Sequence, residues 1–325
     1  MKLKKAVFIT TKNLDYLRNV QEIEKLKEKY DVTIIGFLDR SYLKRMVKIF
    51  LRLFVFDFKD VDTVFVGFAP QLIIPFWWWK FKNKYTIIDF FISLYDTMVF
   101  DRGVFKKASL VAGVLKKIDE LTIGRADHII ADTKAHGQYF VDEFHANPEK
   151  MEILYLNADE SIYYPRKAEK PENYKNKFIV LYFGSVLPLQ GVEIILQAAS
   201  YFKDDTSIVF EIIGPIGQKY HKPQNDNIVY YPWLQQKDLA EHIAYADLCL
   251  AGHFNARIMK AKRTIPGKAY IYKAMGKEMV LGDNLANHEL FDEQQKGIYF
   301  VEMGNAEALA DKIKAVKTIY KNRRE

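Results

Sequence analysis

The chain has 325 residues, of which 49% are hydrophobic and 27% are charged. This length predicts two domains, and the composition is that of a globular protein, which excludes intrinsic disorder and collagen-like repeats. The net charge is +7, and residues 1–60 alone carry ten Lys and four Arg against five Asp and three Glu, a local charge of +6. Such an excess predicts an acidic partner, such as anionic lipid, nucleic acid or phosphate.

The cysteine content and the apolar runs bear on where the protein works. Its single cysteine, Cys249, lies in an apolar run, which excludes an internal disulfide framework and a cysteine-based zinc site. The apolar run at 6–9 is too short for the core of a signal peptide. No window reaches the ~18 uninterrupted apolar residues that a membrane span needs. We therefore expect a cytoplasmic protein.

The first half of the chain alternates short apolar runs with helical patterns. A helical pattern ending at residue 29 separates the first two runs, and the runs predict strands at 5–10, 32–37, 63–67, 85–90 and 128–131. Short buried strands alternating with helices favour a parallel sheet covered by helices on both faces.

A second series of the same kind follows a basic, proline-containing segment at 163–177, which we interpret as a linker. Strands are predicted at 178–183, 208–213, 226–231, 248–251 and 279–282, and helices at 192–201, 238–245, 268–275 and 306–320. We expect an N-terminal domain at 1–165, a C-terminal domain at 166–306, and a final helix at 307–325 that can pack back on the N-terminal domain. Ligands of open α/β sheets bind at the carboxyl ends of the strands, here in a cleft between the domains.

Several short motifs follow one another in a recognisable order. They are GRADHIIADT at 124–133, LYFGS at 181–185 with QG at 190–191, IIGP at 212–215, YADLCL at 245–250, IPGKAY at 265–270 and AMGK at 274–277. Together they resemble the retaining family 4 glycosyltransferases of the GT-B fold. The resemblance implies an α/β protein in which two Rossmann-like domains face each other across a cleft. It also implies an acceptor in the N-terminal domain and a nucleotide-sugar donor in the C-terminal one.

The sequence departs from the family pattern at several positions. Ser185 and Gln190 stand where the family has cations that bind the donor phosphates. The family's two glutamates, eight residues apart, map to Ile265 and Lys273, and a glycine pair after the first strand is replaced by TKN at 11–13. An alternative therefore stays open, namely a GT-B accessory or glycan-binding subunit that has lost donor binding.

Donor binding requires groups that stabilise a diphosphate, and metal-independent enzymes use backbone N–H groups, helix N-termini and Lys or Arg side chains. Lys268 follows a Pro-Gly pair at a helix start, where a cation opposes the helix dipole unless an anion is near. An ordinary strand-to-helix turn and a solvated basic loop are the alternatives. The predicted donor-binding residues are Gly184, Ser185, Gln190, Gly191, Gly214, Arg263 and Lys268.

Three residues at predicted strand ends are candidates for catalysis. Asp89 ends a strand and Asp96 follows it, so either carboxylate is a candidate to bind or deprotonate an acceptor hydroxyl. Helix caps or surface ion pairs are the alternative roles. His253 follows another strand, and the seven histidines show no metal-binding spacing, so no metal site is predicted.

The basic N-terminal region contains a predicted membrane-contact surface. In segment 42–56 one basic face is interleaved with apolar residues, and three tryptophans follow at 77–79. Trp and Lys together suit the headgroup region of a bilayer. A core helix with a buried aromatic cluster is the alternative. The predicted contact residues are Lys44, Arg45, Lys48, Arg52, Trp77, Trp78 and Trp79.

These features together predict a hexosyltransferase that moves a sugar from a nucleoside diphosphate sugar to a lipid-linked or cell-surface glycan. We expect a retaining, metal-independent reaction without a cofactor, with the nucleotide sugar as co-substrate. The expected partners are the donor, the glycan acceptor and the anionic inner face of the cell membrane, where the protein is peripheral. No nucleic-acid partner is expected, because no recognised binding module accompanies the charge.

Overall fold

The computed structural model describes residues 3–217 and 220–323. The chain divides into two compact units, residues 1–157 and residues 158–325. The first boundary therefore lies eight residues before the predicted one at 165, because the segment from 158 onward belongs to the second unit. Each unit contains one six-stranded sheet in which all described pairings are parallel.

The sheet of the first unit has the strand order β2-β1-β3-β4-β5-β6. Its central strands are buried on both faces, whereas the residues of the edge strand β2 are half-buried or exposed except for Ile35. The five predicted strands are confirmed, and a sixth short strand, which the sequence did not indicate, completes the sheet. The strands are β1 (Lys4–Ile9), β2 (Tyr30–Ile35), β3 (Thr63–Val66), β4 (Tyr85–Asp89), β5 (His128–Ala131) and β6 (Met151–Ile153).

Five α-helices connect these strands, and three of them begin with a hydrogen-bonding cap. The side chains of Ser41, Ser109 and Thr133 accept from backbone N–H groups in the first turn, which satisfies donors that a helix start leaves unpaired. The helices are α1 (Leu17–Lys27), α2 (Tyr42–Val55), α3 (Ile74–Phe81), α4 (Leu110–Gly124) and α5 (Lys134–Phe144), with a π-helical turn at Asp96–Asp101.

The second unit has the strand order β12-β11-β10-β7-β8-β9. The inner strands β7 and β8 are buried at every residue, as expected for a parallel sheet with helices on both faces. The strands are β7 (Phe178–Phe183), β8 (Ile208–Ile213), β9 (Ile228–Tyr231), β10 (Leu248–Leu250), β11 (Met279–Gly282) and β12 (Ile298–Val301). The last of these was not predicted.

Five helices flank this second sheet. The terminal helix packs on α6 within its own unit, and Tyr320 at its end contacts Phe178 with ring centroids 5.3 Å apart. The expected packing of segment 307–325 on the first unit stays a prediction, and residues 324–325 lie outside the described residues. The helices are α6 (Val192–Ser200), α7 (Gln236–Tyr245), α8 (Met259–Arg263), α9 (Gly267–Ala274) and α10 (Ala306–Asn322).

In each sheet there is one point from which the chain adds strands first toward one edge and then toward the other. It lies between β1 and β3 in the first unit and between β7 and β10 in the second. In open α/β sheets, ligands bind outside the carboxyl ends of the strands at such a switch point. Among the described residues, no helix is both long and apolar enough to cross a membrane.

Candidate functional site

The loops that follow β7, β8 and β10 meet at the switch point of the second unit. A Cβ on Gly214 would lie 2.2 Å from the carbonyl oxygen of Gly184, so only glycine allows these two loops to touch. A Cβ on Gly252 would lie 2.4 Å from Oε1 of Gln190, and the φ angle of Gly252 is +87°. The backbone is therefore packed closely around the side chain of Gln190.

Lys268, the second residue of α9, lies directly beneath these loops. Its Nζ donates a hydrogen bond of 2.5 Å to Oε1 of Gln190 and lies 5.0 Å from the ring centroid of Tyr182. The same Nζ is 3.3 Å from the points that a Cβ on Gly184 or on Gly252 would occupy. Lys268 is only 7% exposed. The structure thus brings together three of the predicted donor-binding residues, Gly184, Gln190 and Lys268.

The surroundings of this ammonium group contain no counter-charge. No carboxylate within the described residues forms an ion pair with Lys268, and burial alone lowers the pKa of Lys268 to about 7. The charge stands at the N-terminal end of α9, where the helix dipole is also positive. A buried cation without an anion is unfavourable, so this position favours a negatively charged ligand.

Other predicted donor-site residues occupy the margin of the site. Ser185 is exposed on the loop after β7, and Gly191, with φ +68°, is the N-cap of α6. Arg263 is half-buried at the end of α8. His253 directly follows Gly252, and its Nδ1 lies 3.0 Å from the carbonyl oxygen of Thr264, which ties the loop after β10 to the residue that follows α8. Its near-complete burial makes it a loop-anchoring residue in this conformation.

The structure corrects the expectation of a strand-end base at Asp89. Both carboxylate oxygens of Asp89 accept hydrogen bonds of 2.6 Å from the guanidinium of Arg18, and the residue is 1% exposed. Glu22 lies beside them, 3.5 Å from Arg18. Burial, together with the neighbouring charge of Asp89, raises the pKa of Glu22 well above its usual value. Asp89 is therefore one member of a buried ion cluster.

Asp96, the second predicted acidic residue, is buried as well. It begins the π-helical turn, and its backbone N–H donates to Oγ of Ser93. The sequence analysis missed Asp119, a fully buried carboxylate that accepts hydrogen bonds from Ser93 and from the backbone of Leu94 and Tyr95. Asp119 thereby fixes the segment that follows β4.

Two of the predicted membrane-contact residues are buried. The guanidinium of Arg45 donates to the carbonyl oxygens of Thr11 and Asp39, so this residue holds α2 to the loops before it. Trp77 packs against Phe50 in the core, with ring centroids 5.5 Å apart. Neither side chain can contact a membrane in this conformation, which corrects those two assignments.

The other predicted contact residues reach the surface to different extents. Lys44 and Arg52 are exposed, whereas Lys48 forms an ion pair of 2.8 Å with Asp39. Trp78 is half-buried beneath the guanidinium of Arg125, and Trp79 is 61% exposed. The sequence analysis did not single out the large apolar side chains that α2 and α3 leave exposed. They are Leu43, Val47, Leu51, Phe54, Val55 and Phe76, and together with Trp79 we call them the exposed apolar face.

No group of three or more His, Cys, Asp or Glu side chains in the described part of the chain could hold a metal ion. The positive charge at the carboxyl edge of the second sheet comes from Lys268 and from the N-terminal end of α9. Chemically, this arrangement can bind and stabilise a diphosphate.

Comparison with known structures identifies the architecture. Sucrose-phosphate synthase from Thermosynechococcus elongatus superposes with a TM-score of 0.68 at 10% sequence identity, covering 97% of this chain and 90% of that chain. HepE from Anabaena, in complex with UDP and glucose, superposes with a TM-score of 0.61 at 12% sequence identity. The match covers 96% of this chain and 89% of that chain. The lipopolysaccharide outer core galactosyltransferase WaaB, in its apo form, gives 0.59 at 13% identity over 96% and 90%.

Two sequence comparisons also found similar proteins. A protein from Klebsiella pneumoniae described as an uncharacterized 41.2 kDa protein in the cps region is 24% identical over 200 residues. That match spans 60% of this chain and about half, 53%, of the relative. Residues 177–318 match the family model for glycosyl transferases group 1. The protein thus has the GT-B fold of glycosyltransferases, and its second unit carries the sequence pattern of group 1.

Proposed function

We propose that this protein is a glycosyltransferase that takes its sugar from a nucleoside diphosphate sugar bound at the carboxyl edge of the second sheet. The observation that carries the proposal is Lys268, a buried ammonium group without a counter-charge at the switch point of that sheet. The group 1 family match and the UDP and glucose bound by HepE support the same assignment.

The chemical role of Lys268 follows from how charge develops during sugar transfer. As the bond between the sugar and the diphosphate breaks, negative charge grows on the leaving phosphate. A positive group already buried at that place stabilises the charge without a reorganisation of solvent. Gln190 orients the ammonium group before the donor arrives. We include in the proposal that transfer proceeds with retention, as the family 4 resemblance implies, and that Lys268 supplies the positive charge in place of a metal ion.

The alternative is a glycan-binding subunit without donor binding, which the missing family glutamates would fit. Titration calorimetry with UDP, GDP, TDP and CMP separates the two functions. We expect one nucleotide to bind, and Lys268→Met to weaken that binding by about tenfold to a hundredfold, the range for a charge-assisted hydrogen bond. Lys273→Met is the matched control, since Lys273 is an exposed lysine of the same helix. Absence of binding by the wild-type protein at millimolar concentration would overturn the proposal.

We further propose that the acceptor is a lipid-linked or cell-surface glycan and that the protein works at an anionic membrane. The exposed apolar face supports this part, because soluble proteins rarely expose so many large apolar side chains on neighbouring helices. Leu43 is 73% exposed and Phe54 is 69% exposed. Lys44 and Arg52 are exposed on the same helix, which complements the charge of anionic lipid headgroups.

Liposome sedimentation tests the membrane part separately from donor binding. The pair Leu51→Ser and Phe54→Ser should weaken binding to anionic vesicles by about tenfold or more even in high salt, since both side chains lose apolar burial. The matched control is Leu285→Ser, which changes a side chain of the second unit that is 77% exposed. If wild-type protein stays in the supernatant with anionic vesicles at low salt, the acceptor is not presented on such a surface.

A further inference from the structure

The switch point of the first unit carries a cluster of aromatic side chains. Tyr16 lies in the segment after β1, Phe68 follows β3, and Phe91 follows β4. Because the strand order is β1-β3-β4, these residues come from three neighbouring strands at the same sheet edge. We call Tyr16, Phe68 and Phe91 the aromatic cluster. It occupies in the first unit the place that the loops around Lys268 occupy in the second.

The rings of the aromatic cluster contact one another edge to face. The ring centroids of Tyr16 and Phe68 are 5.8 Å apart with an interplanar angle of 85°, and those of Phe68 and Phe91 are 5.6 Å apart at 66°. All three side chains are only partly buried. Such a cluster presents apolar surface at an edge where α/β sheets bind ligands, instead of adding to the core.

A lysine stands over two of these rings. Nζ of Lys12 lies 5.6 Å from the ring centroid of Tyr16 and 5.3 Å from that of Phe68. Within the described residues, Lys12 has no carboxylate partner, in contrast to Arg18 nearby, whose charge is neutralised by Asp89. The cation over the rings is therefore available to an anion from outside.

The local backbone holds this arrangement in place. Thr11 Oγ1 donates a hydrogen bond of 2.8 Å to the carbonyl oxygen of Phe68, which joins the segment after β1 to the segment after β3. Ala69, the next residue, has a φ angle of +55°, a conformation that a residue with a Cβ adopts only when the surrounding structure enforces it.

We infer that Lys12 and the aromatic cluster bind an anionic sugar residue, such as a uronic acid, of the acceptor glycan. The inference rests on the proposed function and adds the chemical class of the acceptor. Sugar C–H bonds carry partial positive charge and pack on the negative faces of aromatic rings, so Tyr16 and Phe68 provide the stacking surface. The ammonium group of Lys12 pairs with the sugar carboxylate.

Binding of small sugars to the full chain tests this inference. Saturation-transfer NMR and calorimetry would compare methyl β-glucuronide with methyl β-glucoside and with glucose 1-phosphate. We expect the glucuronide to bind about tenfold more tightly than the glucoside, as one charge-assisted contact provides. Lys12→Gln should remove that preference and Lys12→Arg should keep it. Phe68→Leu should weaken the binding of both sugars, because it removes the aromatic ring on which they stack. Leucine keeps most of the apolar volume.

The controls distinguish a failure of this inference from a failure of the proposed function. Lys107→Gln is the matched control, since Lys107 also stands over an aromatic ring, that of Phe100, in the same unit. Binding of the donor nucleotide should be unchanged in Lys12→Gln. Equal binding of the glucuronide and the glucoside, or no saturation transfer to either at millimolar concentration, would overturn the inference. Tighter, Lys12-dependent binding of glucose 1-phosphate would also overturn it, in favour of a phosphate ligand.

Discussion

The carboxyl edges of the two sheets each contain a buried cation, and the two cations have opposite surroundings. In the first unit, Arg18 is held by both oxygens of Asp89 and lies beside Glu22. In the second unit, Lys268 has a neutral amide, Gln190, and no carboxylate partner within the described residues. A buried charge that is neutralised within the fold needs no ligand to compensate it, whereas one that is not neutralised favours binding of an anion. The difference separates a structural cluster from the proposed binding site in two regions with the same architecture.

The largest expected change in stability follows substitution of Arg18, the cation that Asp89 neutralises. Arg18→Met leaves Asp89 buried without its partner, and removing one member of a buried ion pair costs about 3–5 kcal/mol. We expect the free energy of unfolding, measured by urea denaturation at neutral pH, to fall by that amount. A loss below ~1 kcal/mol would show that the cluster is not a stabilising ion pair and would remove the contrast between the two edges.

For Lys268, the cation without a carboxylate partner among the described residues, we expect substitution to raise the free energy of unfolding instead of lowering it. Lys268→Met removes a buried charge that burial disfavours, although it also leaves the amide of Gln190 without its partner. We therefore expect the protein to be more stable by about 1–3 kcal/mol below pH 7, while donor binding is weakened. The same urea denaturation measures this change. A destabilised Lys268→Met variant would indicate that Lys268 is structural, as Arg18 is.

The lowered pKa of Lys268 should make both protein stability and nucleotide binding depend on pH. The pKa of Lys268 is lowered to about 7 in the folded protein, below its value in the unfolded chain. Between these two pKa values the unfolded state binds more protons, so stability rises with pH from about 7 upward. A bound diphosphate favours the ammonium form, so nucleotide binding at about pH 8.5 should take up close to one proton. Calorimetry in buffers of different ionisation enthalpy measures that uptake, and no uptake would place the phosphates away from Lys268.

The smallest effect is expected for Glu22. Burial raises the pKa of Glu22 well above its usual value, so its carboxyl group keeps a proton when ordinary glutamates have lost theirs. Glu22→Gln replaces one neutral group by another of the same shape and should change the free energy of unfolding by less than ~1 kcal/mol near pH 6. A much larger loss would mean that Glu22 is ionised and shares the role of Asp89 in neutralising Arg18.

Local sequence signals predict which residues meet at the carboxyl edge of the second sheet better than they do for the first sheet, for physical reasons. Lys268 and its loops were identified because glycines and a helix start leave local signals in the chain. Asp89 was misassigned because its partner Arg18 is 71 residues away, and no local pattern shows such a contact. The alternation of short apolar runs with helical patterns predicts the two parallel sheets. It does not indicate β6 and β12, because these strands are short and only partly buried.

Helix α2 shows a second limit of sequence-based prediction, the assignment of single residues to the buried or the exposed side of a helix. Lys44, Lys48 and Arg52 recur at four-residue spacing and mark one basic face of this helix, but the sequence does not show by itself that the adjacent Arg45 faces the core. Arg45 was therefore placed on the surface with Lys44 and Arg52, although it lies on the buried side with Ile49 and Leu53. Long-range packing decides the orientation of such a helix, and only the structure shows it.

The hydrogen bond between Gln190 and Lys268 would make binding of the proposed donor an exchange of one hydrogen-bond acceptor for another. An incoming anion must take over the ammonium proton that Gln190 now accepts, at a distance of 2.5 Å. A weak monovalent anion gains little over the amide in this exchange, whereas a multiply charged phosphate forms a stronger, charge-assisted bond. Abundant salts such as chloride should therefore compete poorly for the position, which would leave Lys268 to the phosphates of the proposed donor.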